Sequence, residues 1–217
     1  MRLLLNTAIA ALACTAAPLT AGDSDFEFWL NPSASWELDS NTDLEVETAQ
    51  RFRDSRRGRV DTYFARLWIH QGISDAFTLS GAFEKRINDG GRDETRLIQQ
   101  LSGRHGVLRT RLRFEQRFIE DADRLALRLR PRLGVSVPLD ADGRWSFDSN
   151  AELFFTLRGT SASSDTGLTG LRTQIGVGYE VNDRLALSAT YLRQQDIAPG
   201  KPDTIGHAPV IGVELSF

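Results

Sequence analysis

The stretch Leu108-Arg109-Thr110-Arg111-Leu112-Arg113-Phe114-Glu115-Gln116-Arg117-Phe118 decides the fold. In an extended chain Leu108, Thr110, Leu112, Phe114, Gln116 and Phe118 share one side, and Arg109, Arg111, Arg113, Glu115 and Arg117 share the other. A period of two means a β-strand with apolar surroundings on one face and polar surroundings on the other. A helix would scatter the same arginines around its whole girth. The next run repeats the pattern, with Leu125, Leu127, Leu129, Pro131, Leu133, Val135 and Val137 opposite Arg128, Arg130 and Arg132. Two successive strands therefore carry arginine ladders on the same side.

Working outward, the same alternation gives Phe26 to Leu38, Leu44 to Phe52, Tyr63 to Ile69, Phe77 to Phe83, Trp145 to Leu157, Leu171 to Tyr179, Leu185 to Tyr191 and Pro209 to Phe217. Arg96 to Ser102 is a further candidate whose facing is ambiguous, because Leu97 and Ile98 are adjacent and both apolar. Short clusters of Asp, Asn, Ser and Gly separate the segments, as turns require. The expected fold is all-β, an antiparallel transmembrane β-barrel of 10–12 strands. The segments number eleven, but bacterial single-chain barrels are even-stranded with both termini on the periplasmic side. Either the first segment does not cross and the barrel has ten strands, or the ambiguous region hides another and it has twelve. Counting back from the C-terminus, Gln195 to Gly206, Gly159 to Gly167, Asp121 to Asp123 and Asn88 to Asp93 fall at the outer end. The tight connections Val181 to Arg184, Asp140 to Arg144, Gly103 to Gly106 and Ser74 to Ala76 fall at the other.

The N-terminus reads as a secretory signal peptide: Arg2, an apolar run from Leu3 to Leu12, then small residues through Ala21-Gly22. Residues 1–22 are expected to be removed and 23–217 to form the outer-membrane β-barrel domain. A lipoprotein reading of Cys14 is disfavoured, because Leu12 lies one place too close to it. Cleavage downstream of Cys14 removes the only cysteine, which suits passage through an oxidising periplasm. Among 217 residues none of the later segments approaches the roughly 18 apolar residues of a membrane helix. Against 29 acidic residues the chain has 26 basic ones, so the overall charge gives no reason to expect nucleic acid as a partner.

A soluble β-sandwich would also alternate, but its water-facing side normally carries lysine. Here the only lysines are Lys85 and Lys201. Arginine suits a crowded, partly desolvated interior, where its planar fork satisfies several acceptors at once. The chain ends in the alternating strand Val213-Glu214-Leu215-Ser216-Phe217. Such an aromatic ending resembles the signal by which barrel-insertion machinery recognises its clients. The expected partners are therefore outer-membrane lipid and that machinery, at the outer membrane of a Gram-negative bacterium.

Glu94-Thr95-Arg96-Leu97 with Gln99-Gln100, Arg111 to Phe118, Arg128-Leu129-Arg130, Glu152 to Phe155 and Gly176 to Tyr179 resemble the bacterial family catalogued as domain of unknown function 2490. The Arg-x-Arg-x-Glu-Gln-Arg core is the most specific part. Leu171-Arg172 departs from it, where an Asn is expected before the arginine. The resemblance implies an outer-membrane barrel and no assigned reaction.

The candidate lumen-lining set is Arg66, Glu84, Arg86, Arg111, Arg113, Glu115, Arg117, Arg128, Arg130, Arg132, Glu152, Arg172, Glu180 and Glu214. One reading is structural: arginine and glutamate fill a narrow lumen with paired charges. The alternative is a small channel for anions or acidic oligosaccharides, lined by surplus arginine. An outer-membrane lipid-modifying enzyme is the third class. Of the three histidines, His70 is expected in the lumen, His105 in a turn and His207 in a loop, and no serine pairs with them at a recognisable spacing. No catalytic residue, cofactor or metal site is expected. Asp140, Asp142 and Asp148 lack the glycine and terminal glutamate of a calcium loop, and no helix follows Gly176-Val177-Gly178. Trp29 and Trp68 are expected to point inward, unlike the tryptophans of an interfacial girdle.

Overall fold

The computed structural model describes residues 24–55 and 58–217. The expected signal peptide, its cleavage point and Cys14 lie outside the described residues. The elements are β1 (Ser24–Asp39), β2 (Thr42–Ser55), β3 (Gly58–Arg59), β4 (Thr62–Gly72), β5 (Phe77–Asn88), β6 (Glu94–His105) and β7 (Leu108–Ile119). They continue with β8 (Ala126–Pro138), β9 (Trp145–Arg158), β10 (Gly167–Asn182), β11 (Leu185–Asp196) and β12 (Thr204–Ser216). All eleven segments expected from alternation are strands, and β3 is a two-residue pairing on the end of β2.

Each long strand pairs with its sequence neighbours in antiparallel fashion, and the sheet closes because β1 pairs with both β2 and β12. The closing pair is parallel, running from Ser24 opposite Ile205 to Ser35 opposite Ser216. This corrects two expectations, an even strand number and antiparallel pairing throughout. A parallel seam is how an odd number of strands closes, and it leaves no unpaired edge to recruit another chain. Beyond the ladder the Phe217 amide donates to the Ser35 carbonyl at 3.0 Å, and the Phe217 ring stacks on Trp36 at 5.7 Å.

The short connections lie at one end of the barrel: Ser40-Asn41, 73–76, Gly106-Val107, 139–144 and Asp183-Arg184. At Gly106, φ of +59° supplies the left-handed backbone that a two-residue hairpin turn demands. The long connections and the start of β1 lie at the opposite end, called here the loop end. β1 therefore starts where β12 starts, not where it finishes.

The usual distribution of burial is inverted. Glu84 and Glu115 are 0 % exposed and Glu152 is 1 %, whereas Phe26 is 67 % exposed and Leu133 58 %. Leucines, isoleucines, valines and aromatics from every long strand form a continuous outer belt. Inside, Trp29, Leu192, Ala208 and Val210 make the one buried apolar cluster among the described residues, against the seam of β1 and β12. The ambiguous strand β6 resolves the same way, with Leu97 and Leu101 outward and Glu94, Arg96 and Ile98 inward.

Ser35 and Ser216 hold their hydroxyls 3.4 Å apart across the seam, close enough for a cysteine pair to replace them. In a Cys14→Ser background, Ser35→Cys with Ser216→Cys is expected to oxidise to an intramolecular disulfide, read as a reductant-sensitive mobility shift. Failure of this pair to cross-link in the folded protein would contradict the parallel seam.

Candidate functional site

Because most charged side chains of the strands face inward, the residues able to do chemistry are gathered inside the barrel. They form two ion-pair chains. In the first, Arg66 bridges Glu47 at 2.6 Å and Glu84, its Nε donating to Glu84 Oε2 at 2.8 Å. Glu84 also accepts from Arg86 at 3.2 Å and lies 3.4 Å from Arg96. Arg96 grips Glu94 with two 2.7 Å bonds, and Arg117 reaches the same carboxylate at 2.5 Å. In the second chain Glu115 accepts from Arg128 at 2.6 Å and Arg130 at 2.7 Å. Arg130 goes on to Glu152 at 2.5 Å, whose other oxygen accepts from Arg111.

Register accounts for part of this pairing. Glu84 faces Arg66 on β4 and Arg96 on β6; Glu115 faces Arg128 on β8; Glu152 faces Arg132 and Arg172 on its two neighbours. Opposite charges directly across a ladder are within reach of one another. Both oxygens of Glu152 are already taken by Arg111 and Arg130, so Arg132 and Arg172 are left beside it without a carboxylate of their own. Arg172 instead donates to the Gln194 amide oxygen, at 3.1 Å from Nε.

Aromatic rings hold several guanidinium groups in place. Trp29 has Arg51 at 3.7 Å and Arg172 at 5.3 Å from its ring centre, and Phe64 has Arg51, Arg66 and Arg86 within 5.3 Å. Arg113 of β7 lies 5.2 Å from the ring of Trp68 on β4, three strands away along the wall, and Arg172 of β10 spans the same gap to Trp29 of β1. At about 4.8 Å per strand spacing, such contacts are chords through the lumen, not neighbour contacts along the wall. The inward tryptophans satisfy their own N–H groups, Trp29 on Glu27 at 2.5 Å and Trp68 on Glu47 at 3.0 Å.

Above and around the pairs lies a cavity of about 570 Å³, lined by twelve arginines and only three glutamates, so its field is strongly positive. Arg66, Arg86, Arg111, Arg113, Arg117, Arg128, Arg130, Arg132, Glu152 and Arg172 all line it, and Glu84 and Glu115 sit behind its wall. Glu180 and Glu214 lie apart from this group. They are exposed at the turn end and share a separate pocket with Asp148 and Arg144. The lumen is therefore polarised, with arginine toward the loops and carboxylate toward the turns.

Sequence reading overlooked Glu94, Arg96, Glu47 and Arg51. The first two sit in β6, where Leu97 next to Ile98 obscures the facing. Glu47 and Arg51 could have been found by extending alternation through β2, since Leu44, Val46 and Phe52 face outward and fix the opposite parity. The spacing of His70 in the sequence points to no serine partner, yet its Nδ1 lies 2.9 Å from Ser80 Oγ and its Nε2 3.0 Å from Glu45. The chain of three is a polar tie between strands. Among the described residues no cluster of His, Cys, Asp and Glu is arranged to hold a metal ion.

No curated protein matches this sequence. The family model described as "Protein of unknown function (DUF2490)" matches residues 26–204, from the start of β1 to the first residue of β12. That span takes in both ion-pair chains and every arginine of the cavity, and the chain belongs to the DUF2490 family of proteins of unknown function.

Proposed function

We propose that this protein is an integral outer-membrane β-barrel, exported through the periplasm, whose lumen is shut at mid-height by its own ion pairs. The belt of exposed Leu, Ile, Val and Phe supports the membrane reading, since a patch far larger than a few hundred Å² needs a lipid or protein cover. Strands of 11 to 16 residues meet or exceed the 9–11 that a tilted membrane strand requires. In this reading the short connections face the periplasm and the loop end faces outward, so the aromatic end at Phe217 is presented where insertion machinery would engage it.

The observation that carries the closed lumen is the near-complete burial of Glu84, Glu115 and Glu152, with Glu84 and Glu152 gripped by arginines from two strands each and Glu115 by two arginines of β8. An eleven-stranded wall is wider than the eight-stranded one that ordinary side chains fill. Long arginines anchored on Trp29, Trp68, Phe64 and Phe154 span the difference. The acidic turn end also opposes the passage of anions, which would have to leave past Asp148, Glu180 and Glu214. The second reading, an anion channel, is favoured by one observation, the arginine excess around the cavity.

Planar-bilayer recording separates the two. The purified barrel is expected to give no discrete conductance steps, and anion-selective steps would overturn the closed-lumen reading in favour of the channel. A stability measurement checks the pairs themselves. Glu115→Gln strips Arg128 and Arg130 of their shared charge and is expected to lower unfolding free energy in vesicles by about 2–4 kcal/mol. Glu214→Gln, at the exposed turn end, is expected to change it by no more than about 0.5 kcal/mol.

A further inference from the structure

The cavity in the loop half of the lumen holds more cationic groups than its carboxylates can neutralise. Three arginines stand out because no carboxylate lies within ion-pair distance of them among the described residues. Arg51 is held only by ring faces, lying over Trp29 and Phe64, and its Nε is buried without a hydrogen-bond partner. Arg172 lies over two rings, 5.3 Å from Trp29 and 5.1 Å from Phe154, and has one neutral acceptor, Gln194. Arg132 pairs in register with Glu152, whose oxygens are occupied by other arginines.

Half-buried cations without counter-charges carry a desolvation cost, which a ligand that supplies the charge would offset. Stacking on an aromatic face fixes the plane of a guanidinium and leaves its N–H edge free to form paired bonds with an oxyanion. The three groups are also connected in space. Arg51 and Arg172 share the Trp29 ring, while Arg172 and Arg132 flank Glu152 on adjacent strands. All three open into the same cavity, whose volume of about 570 Å³ lies within the range of small-molecule sites.

Building on the closed-lumen reading above, we infer that this cavity is a binding site for a compact, multiply charged oxyanion, a solute carrying two or more phosphate or carboxylate groups. Arg51, Arg172 and Arg132 provide the recognition. A single small anion would meet only one of these forks, whereas a solute with several anionic groups meets them together. Entry is from the loop end, since Asn88, Arg92 and Arg117 at that end line the cavity and the acidic pocket lies at the other.

Calorimetric titration of the folded barrel in neutral detergent at about 0.1 M salt provides the test, with sodium tripolyphosphate in one arm and citrate in the other. Saturable one-to-one binding of either probe is expected, and the arm that binds more tightly identifies phosphate or carboxylate as the preferred group. Arg51→Gln and Arg172→Gln are each expected to weaken the binding by about tenfold or more, since each removes charge-assisted bonds. These arginines hold no carboxylate, so the variants should keep the heat-sensitive gel mobility of the folded barrel. Glu214→Gln should leave affinity unchanged. Absence of saturable heat with both probes, or equal affinity in folded Arg51→Gln and Arg172→Gln, would overturn the inference. The bilayer recording reports separately on the closed lumen: a silent barrel that binds neither probe loses this site and keeps that reading.

Discussion

Charge placed inside a closed sheet must be neutralised there, and this constraint orders most of the molecule. Eleven strands carry their apolar residues outward, so each inward position is available to a polar side chain and few are available to a conventional core. A carboxylate such as Glu115, removed from water on all sides, is tolerable only with several donors in good geometry. Arginine meets the requirement better than lysine, because one guanidinium can serve two carboxylates, as Arg66 serves Glu47 and Glu84 and Arg130 serves Glu115 and Glu152. The near absence of lysine is the compositional trace of that arrangement.

Ladder register and ion pairing reinforce each other. A one-residue slip between β7 and β8 would turn the arginine ladders to the outer belt and the leucines inward, as would a slip anywhere else in the wall. The two ion-pair chains therefore act as a check on register from β2 through β9, and the Trp29, Leu192, Ala208 and Val210 cluster does the same at the seam. Closure by β1 against β12 completes the wall. It also places the beginning of β1 at the loop end, the reverse of what a barrel with an even number of strands would give.

Alternation made the strands, their facing and the arginine ladders readable, because side-chain facing has a strict period of two. It could not reveal the parallel seam, since reversing the direction of a strand leaves its alternation unchanged. An even strand number is not dictated by the sequence for the same reason: it depends on where termini usually lie and not on any property of residues 26–38 or 209–217. Facing was likewise readable at Arg111 and Glu152 but not at Arg96, where apolar residues stand on both sides of the strand. The partition of the lumen was out of reach as well. Which arginine finds which carboxylate depends on register and on chords through the interior, such as Arg113 to Trp68, and neither leaves a mark on local sequence.

A double-mutant cycle on Arg130 and Glu152 in vesicle-reconstituted protein tests the central claim most directly, because it isolates the contribution of one buried pair from the damage caused by removing either partner. If ion pairs hold the lumen together, Arg130→Gln and Glu152→Gln should be strongly coupled, with an interaction energy of about 2 kcal/mol or more. Additive effects, with coupling near zero, would mean that the inward charges are individually solvated and that the lumen is not closed by its pairs.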